Sequence, residues 1–138
     1  MENVNKQAIL KIDLSIVAEN YLYLKKQLKP NTTCAVVVKA NAYGLGAKEV
    51  AAKLYKCGCR DFYVAYFSEA LDIKDVVGNS NISVLHGFVD ADVMDFKREE
   101  IVPVLNSVND VEMCKGYDIP VSVHIDTGMN RLGFNLSE

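Results

Sequence analysis

Short runs of β-branched and apolar residues alternate along this chain with longer stretches whose apolar positions recur every three or four residues. The runs are Ala8–Ile12, Thr33–Val38, Phe62–Tyr66, Ile82–His86, Ile101–Leu105 and Val121–Ile125. Between them, Leu14–Leu28, Ala47–Cys57, Ser68–Val77, Ala91–Lys97 and Ser107–Lys115 carry helical spacing. The alternation predicts a repeating βα unit. In the first helix, Ile16, Val17, Asn20, Tyr21, Leu24 and Leu28 form the expected core-facing stripe. Turn residues fall where the pattern needs them, at Lys29-Pro30-Asn31, Gly78-Asn79-Ser80-Asn81 and Ile119-Pro120. Cys34–Val38 and Ile82–Leu85 are almost continuously apolar, as parallel strands covered on both faces should be. A parallel α/β architecture follows, either an open doubly wound sheet or a (β/α)₈ barrel.

Composition narrows the function classes. The 138 residues carry a net charge of −3 and contain no Lys/Arg run longer than a pair, so neither nucleic acid nor an anionic lipid surface is an expected partner. No apolar stretch approaches the ~18 residues of a membrane span, and the first residues lack a signal-peptide core, so a cytoplasmic location is expected. The four cysteines are then expected as free thiols. Cys57-x-Cys59 lacks the two-residue gap favoured by zinc and redox pairs, and Gly58 between them suits a helix C-terminus. No metal site is expected.

The turn after the Thr33–Val38 run reads Lys39-Ala40-Asn41-Ala42-Tyr43-Gly44-Leu45-Gly46. It holds one G-x-G and no third glycine, which is a poor dinucleotide fingerprint. Lys39 stands where a buried strand reaches its C-terminal end, the edge on which barrel active sites are built. A lysine there either snorkels to water or serves as a desolvated amine that condenses with an aldehyde. The glycines and the following helix N-terminus suit a phosphate, so a phosphorylated aldehyde fits both features.

The segment Ala35–Ala47 resembles the cofactor-lysine motif of the alanine racemases, and His124-Ile125-Asp126-Thr127-Gly128-Met129-Asn130-Arg131-Leu132-Gly133-Phe134 resembles a second motif of that family. Ile12-Asp13-Leu14, Asn20 and Leu24 are similar to the family's start, so the likeness covers essentially the whole chain. It implies an incomplete (β/α) barrel of the TIM type, about five strands from Thr33 to Ile125, forming the N-terminal portion of a pyridoxal-phosphate-binding barrel. The later barrel half and a C-terminal domain are expected to be absent, since a full barrel takes ~250 residues. By the same resemblance Lys39 would bind pyridoxal 5′-phosphate and act as one of two bases that interconvert L- and D-alanine for cell-wall synthesis. Tyr43 would hold the phosphate, Leu85 would line the ring, and Arg131 would reach the cofactor and, with Met129, the substrate carboxylate. His124 and Asp126 would support them. The second base of the family is a partner-subunit tyrosine, and none of the tyrosines here matches its motif, so the chain alone is expected to be inactive. A homodimer acting on a small amino acid is the implied assembly.

One departure bears on Arg131. Where many alanine racemases have a carbamylated lysine two residues before Asp-Thr-Gly, this chain has His124. His124 shares a strand face with Ser122 and Asp126, and either a hydrogen bond from it to a nearby acceptor substitutes or Arg131 is held by something else. His86 reads as structural. Asp126-Thr127-Gly128 also matches the aspartic-protease triplet, but those enzymes are all-β and this pattern is not. A racemase for serine or another amino acid, or a cofactor-binding barrel without racemase activity, is the alternative reading.

Overall fold

The computed structural model describes residues 8–135. Five short parallel strands form its sheet: β1 (Val36–Val37), β2 (Asp61–Val64), β3 (Asn81–Val84), β4 (Val102–Leu105) and β5 (Ser122–Val123). The helical segments are α1 (Leu14–Lys26), α2 (Lys39–Tyr43), α3 (Ala47–Lys56), α4 (Phe67–Val77), α5 (Val93–Glu99) and α6 (Val108–Cys114). The spatial order is β1-β2-β3-β4-β5, each strand pairing with the next in parallel. A doubly wound sheet reverses its strand order at a switch point. This sheet does not, so it is the open arc of a barrel-type sheet, not closed among the described residues.

Burial along the strands shows where the core sits. Phe62 and Val64 of β2 are buried while Asp61 and Tyr63 between them are half-exposed, the period-2 signature of a strand with one face under helices. On that covered face Phe62, Val64, Ile82 and Val84 pack with Val50, Ala51 and Leu54 of α3, Ala70, Ile73 and Val77 of α4, and Phe96 of α5. Ser107 and Asp92 cap α6 and α5 by accepting from the backbone N–H groups of Asp110 and Asp95.

Two sequence expectations are corrected. Ala8–Ile12 is not a strand: these residues make no ladder, and Ile9 and Leu10 are 85% and 80% exposed, because no strand in the described sheet lies beside them. The stripe of the first helix is also displaced. Ala18 and Tyr21 are its buried residues, with Leu14 and Val17 packed against the core, while Ile16 and Leu24 face solvent. The helix turns this face to α3, so Ala18, too small to register as hydrophobic signal, marks the contact.

Tyr21 lies beside Cys34, Cys57 and Cys59, at the opposite end of the sheet from the strand C-termini. Burial and then the neighbouring Cys59 push its hydroxyl up to about 12. Cys34, Cys57, Cys59 and Cys114 are free thiols, and Gly58, at φ 89°, closes α3 as the spacing predicted. No helix among the described residues is long and apolar enough to cross a membrane.

Candidate active site

Lys39 lies two residues past the end of β1, after Val38, whose N–H donates to Tyr63 O of β2 at 2.8 Å. The chain then winds the wrong way: Ala40, Asn41, Ala42 and Tyr43 have φ of 51–56°, so α2 is a left-handed turn built without glycine. Left-handed winding costs L-residues roughly 1–2 kcal/mol each, so the surroundings must hold it. Within the turn, Ala42 N–H donates to Val38 O at 2.9 Å and Gly44 N–H to Ala40 O at 3.1 Å, and Ala42 is buried. Asn41 Oδ1 accepts from Ala47 N–H at 2.8 Å and so fastens the turn to the start of α3. Glu69 of α4 accepts from Ala40 N–H at 2.7 Å. Lys39 is half-buried, and its ammonium makes no hydrogen bond or ion pair with a described residue. Tyr43 is 66% exposed. Behind the turn runs a groove of about 890 Å³ bordered by Leu14, Asn41, Gly46 and Glu69, but Lys39 does not line it.

α4 begins beside this turn, fixed by two acids. Asp90 accepts from Phe67 N–H at 2.9 Å and from Ser68 N–H and Oγ at 3.0 Å each. Burial pushes the Asp90 carboxyl up, and those hydrogen bonds from Ser68 and Phe67 outweigh it and hold it below the usual range.

Leu85 follows β3 and is half-buried, its N–H donating to Val64 O at 2.9 Å. His86, next along, packs edge-on against Tyr66 with ring centroids 4.7 Å apart, a structural contact. On β5 and its extension Ser122, His124 and Asp126 are half-buried and Val121, Val123 and Ile125 exposed, the alternation the sequence predicted. His124 hydrogen-bonds Asn106, Nδ1 lying 2.9 Å from Asn106 Oδ1, and no hydrogen bond among the described residues links this pair to Arg131. Asn106 Nδ2 donates to Leu85 O and to Val104 O, both at 2.9 Å. Two carbonyls demand the NH₂ on that side, so Oδ1 faces the ring and Nδ1 of His124 carries the proton. Asn106 thus ties the ends of β3, β4 and β5 together.

After His124 the chain makes a closed loop. Phe134 N–H donates to His124 O, and Asp126 N–H to Phe134 O, both at 2.8 Å. Inside the loop Asp126 Oδ1 accepts from Gly128 N–H and Met129 N–H, and Oδ2 from Asn130 N–H, all at 2.9 Å. Gly133, at φ 98°, admits no side chain, since a Cβ would lie 2.9 Å from His124 O and 3.0 Å from Asp126 N. The loop presents Met129, 72% exposed, and Arg131, whose guanidinium pairs with no described carboxylate.

The Gly128 N–H, with those of Met129 and Asn130, holds the Asp126 carboxyl below its usual range against the upward push of burial. A carboxylate depressed in the folded state stabilises its loop fully above the unfolded value near 3.9, and that support is lost as pH falls through the lower folded value. Amide-exchange protection of Gly128, Met129 and Asn130 is therefore expected to hold at pH 5 and to collapse together in acid. In Asp126→Asn the acid collapse disappears: the remaining oxygen still serves Gly128 and Met129 N–H, while Asn130 N–H, which Oδ2 had held, is already unprotected at pH 5.

Lys39 and Leu85 lie just past the C-terminal ends of β1 and β3, where the sequence expectation placed them, His124 lies just past β5, and Tyr43, Asp126, Met129 and Arg131 lie on the turn and loop that follow β1 and β5. The first motif and the second lie at opposite ends of the sheet, and no hydrogen bond or ion pair among the described residues joins them. Sequence reasoning missed Glu69 and Asn106. Glu69 carries only a helix-start signal, being the third residue of α4. Asn106 becomes visible from the register, because Leu105 pairs with Val123 and the next residues on the two strands are Asn106 and His124.

Residues 12–138 match the family model described as alanine racemase, N-terminal domain. The chain belongs to the alanine racemase family. The alanine racemase of Rhodospirillum rubrum is 42% identical over 133 residues, which take in 91% of this chain and 36% of that protein. The alanine racemase structure from Bartonella henselae, solved with covalently bound pyridoxal phosphate, superposes with a TM-score of 0.83 at 40% identity over 92% of this chain and 39% of that one. A histidine racemase from Leuconostoc mesenteroides superposes with a TM-score of 0.71 at 26% identity, over 88% of this chain and 34% of that one. The chain spans about a third of the length of the alanine racemases it matches.

Proposed function

We propose that this chain is the N-terminal portion of a pyridoxal-phosphate-dependent barrel that interconverts L- and D-alanine, with Lys39 as one of two bases. The observation that carries the reading is the presence, on a strained turn after β1, of an amine with no ion-pair partner among the described residues, together with a guanidinium on the loop after β5 that pairs with no described carboxylate. Along a flat sheet the two would be four strand spacings apart, about 19 Å. In an eight-stranded barrel the first and fifth strands face each other, and both loops then border one central cavity.

The residues present fit the cofactor. An aldehyde takes a primary amine with no competing partner, which Lys39 offers among the described residues, and a phosphate takes an exposed hydroxyl donor such as Tyr43, one turn further on. Leu85 gives the ring an apolar neighbour, and Arg131 offers a planar fork to a phenolic oxygen or carboxylate. When bound, the pyridoxal ring supplies the electron sink that makes a Cα proton removable. The chain's own part is to hold substrate and move that proton. Arg131 and Met129 place the amino acid from the β5 side, and Lys39 Nζ gives or takes the Cα proton from the β1 side. Asp126 fixes the loop that carries Arg131, and the Asn106–His124 pair fixes the strand from which that loop leaves.

The opposite-face proton is assigned to a tyrosine outside these segments, in keeping with a homodimeric cytoplasmic enzyme that supplies D-alanine for cell walls. The likeness to a histidine racemase favours a second reading, a racemase for another amino acid on the same barrel. Incubation with pyridoxal phosphate, borohydride reduction and peptide mass mapping test the proposal. Selective labelling of Lys39 without alanine turnover by the chain alone is the expected result. Label scattered over surface lysines overturns it.

A further inference from the structure

Glu69 is placed to do more than start a helix. Its Oε2 accepts from Ala65 N–H at 2.7 Å and Tyr66 N–H at 3.2 Å, which lie on the chain leaving β2, while its Oε1 accepts from Ala40 N–H at 2.7 Å. Ala40 is the residue after Lys39 and the first of the left-handed run. One half-buried carboxylate therefore joins the end of β1 to the end of β2 at the point where the backbone is most strained. The three donors are divided between its two oxygens, and a carboxylate is the only side-chain group of this length that accepts at both ends.

We propose that Glu69 is a positioning residue for Lys39: by holding Ala40 N–H it keeps the turn left-handed and so sets where the lysine amine points. It touches no reacting atom and acts through the backbone. The assignment rests on the reading of Lys39 as the cofactor-bearing lysine, and the geometry of the clamp stands apart from it.

Two variants separate this role from simple capping of α4. In Glu69→Gln one oxygen remains. It serves the two N–H groups of Ala65 and Tyr66 and turns an NH₂ toward Ala40 N–H, donor against donor. Glu69→Asp reaches the nearby Ala65 and Tyr66 but is one methylene too short for Ala40. Amide exchange of the full chain is expected to show Ala40 at least about tenfold faster in both variants, with Ala65 and Tyr66 still protected and the melting temperature little changed. Reductive labelling with pyridoxal phosphate is expected to lose its preference for Lys39 over the other lysines. Unchanged Ala40 exchange in both variants, or equal loosening of Ala40, Ala65 and Tyr66 along with melting, overturns the proposal. Absence of Lys39 labelling in the unsubstituted chain would strike at the cofactor reading instead, and Ala40 exchange would still decide the clamp.

Discussion

Lys39→Ala is expected to abolish covalent uptake of pyridoxal phosphate, leaving the peptide that carries residue 39 unlabelled after borohydride reduction. The reason is local. Lys39 is the lysine held at the C-terminal end of a barrel strand, half-buried and free of any ion pair with a described residue. Lys48 and Lys74 are committed to Asp75 at 3.2 Å and Glu99 at 2.9 Å. Lys48→Ala, on the exposed side of α3, is the matched control and should leave labelling of Lys39 intact. On the proposed reading the same Lys39 substitution also removes a proton carrier, a group whose loss typically lowers rates about 10²–10⁴-fold. Residual racemisation close to that of the unsubstituted enzyme would place the base elsewhere. Because α2 is held by backbone hydrogen bonds and by Glu69 and Asn41, not by the lysine side chain, the variant should fold as before.

Phe96→Ala is expected to cost about 3–5 kcal/mol of stability, the usual range for deleting a buried phenyl ring. Phe96 is fully buried on α5, with its ring 4.8 Å from that of Phe67 and 5.2 Å from that of Phe88. Phe67 opens α4, and its N–H is held by Asp90. The cavity would therefore form beneath the helix that carries Glu69. Urea unfolding followed by circular dichroism measures the loss. Leu71→Ala, on the exposed face of α4, should stay within about 1 kcal/mol and serves as the comparison.

The parts of this molecule that repeat are the parts legible in its sequence. Phe62 and Val64 alternate with Asp61 and Tyr63, and Val50, Leu54, Ile73 and Val77 recur at helical spacing, so strands, helices and their parallel order follow from periodicity. Periodicity failed where burial depends on what lies opposite. Ile9 and Leu10 look like a strand but pair with no strand among the described residues, and Ile16 and Leu24 look like core but are exposed. The candidate site residues other than Leu85 come from two motifs, while the groups that hold them in place lie outside both. Nothing in Lys-Ala-Asn-Ala-Tyr announces a left-handed turn, since alanine and lysine favour the opposite hand. The clamp that enforces it arrives from Glu69, 29 residues beyond Ala40. Likewise the His124 ring needed a partner, but only the β4–β5 register names Asn106.

The left-handed turn also dictates an order of events in folding. Its local sequence opposes it, and its strongest external hydrogen bond comes from α4, so it has little reason to exist before β2 has paired with β1 and α4 has docked. It therefore belongs to the last structure gained and the first released. Substitutions in Ala40–Tyr43 should act on the unfolding rate and leave the refolding rate nearly untouched, whereas Phe62, at the centre of the β1–β2–β3 pairing, should govern the rate of refolding. Lys39 is thus attached to a latch that closes only after its scaffold is built.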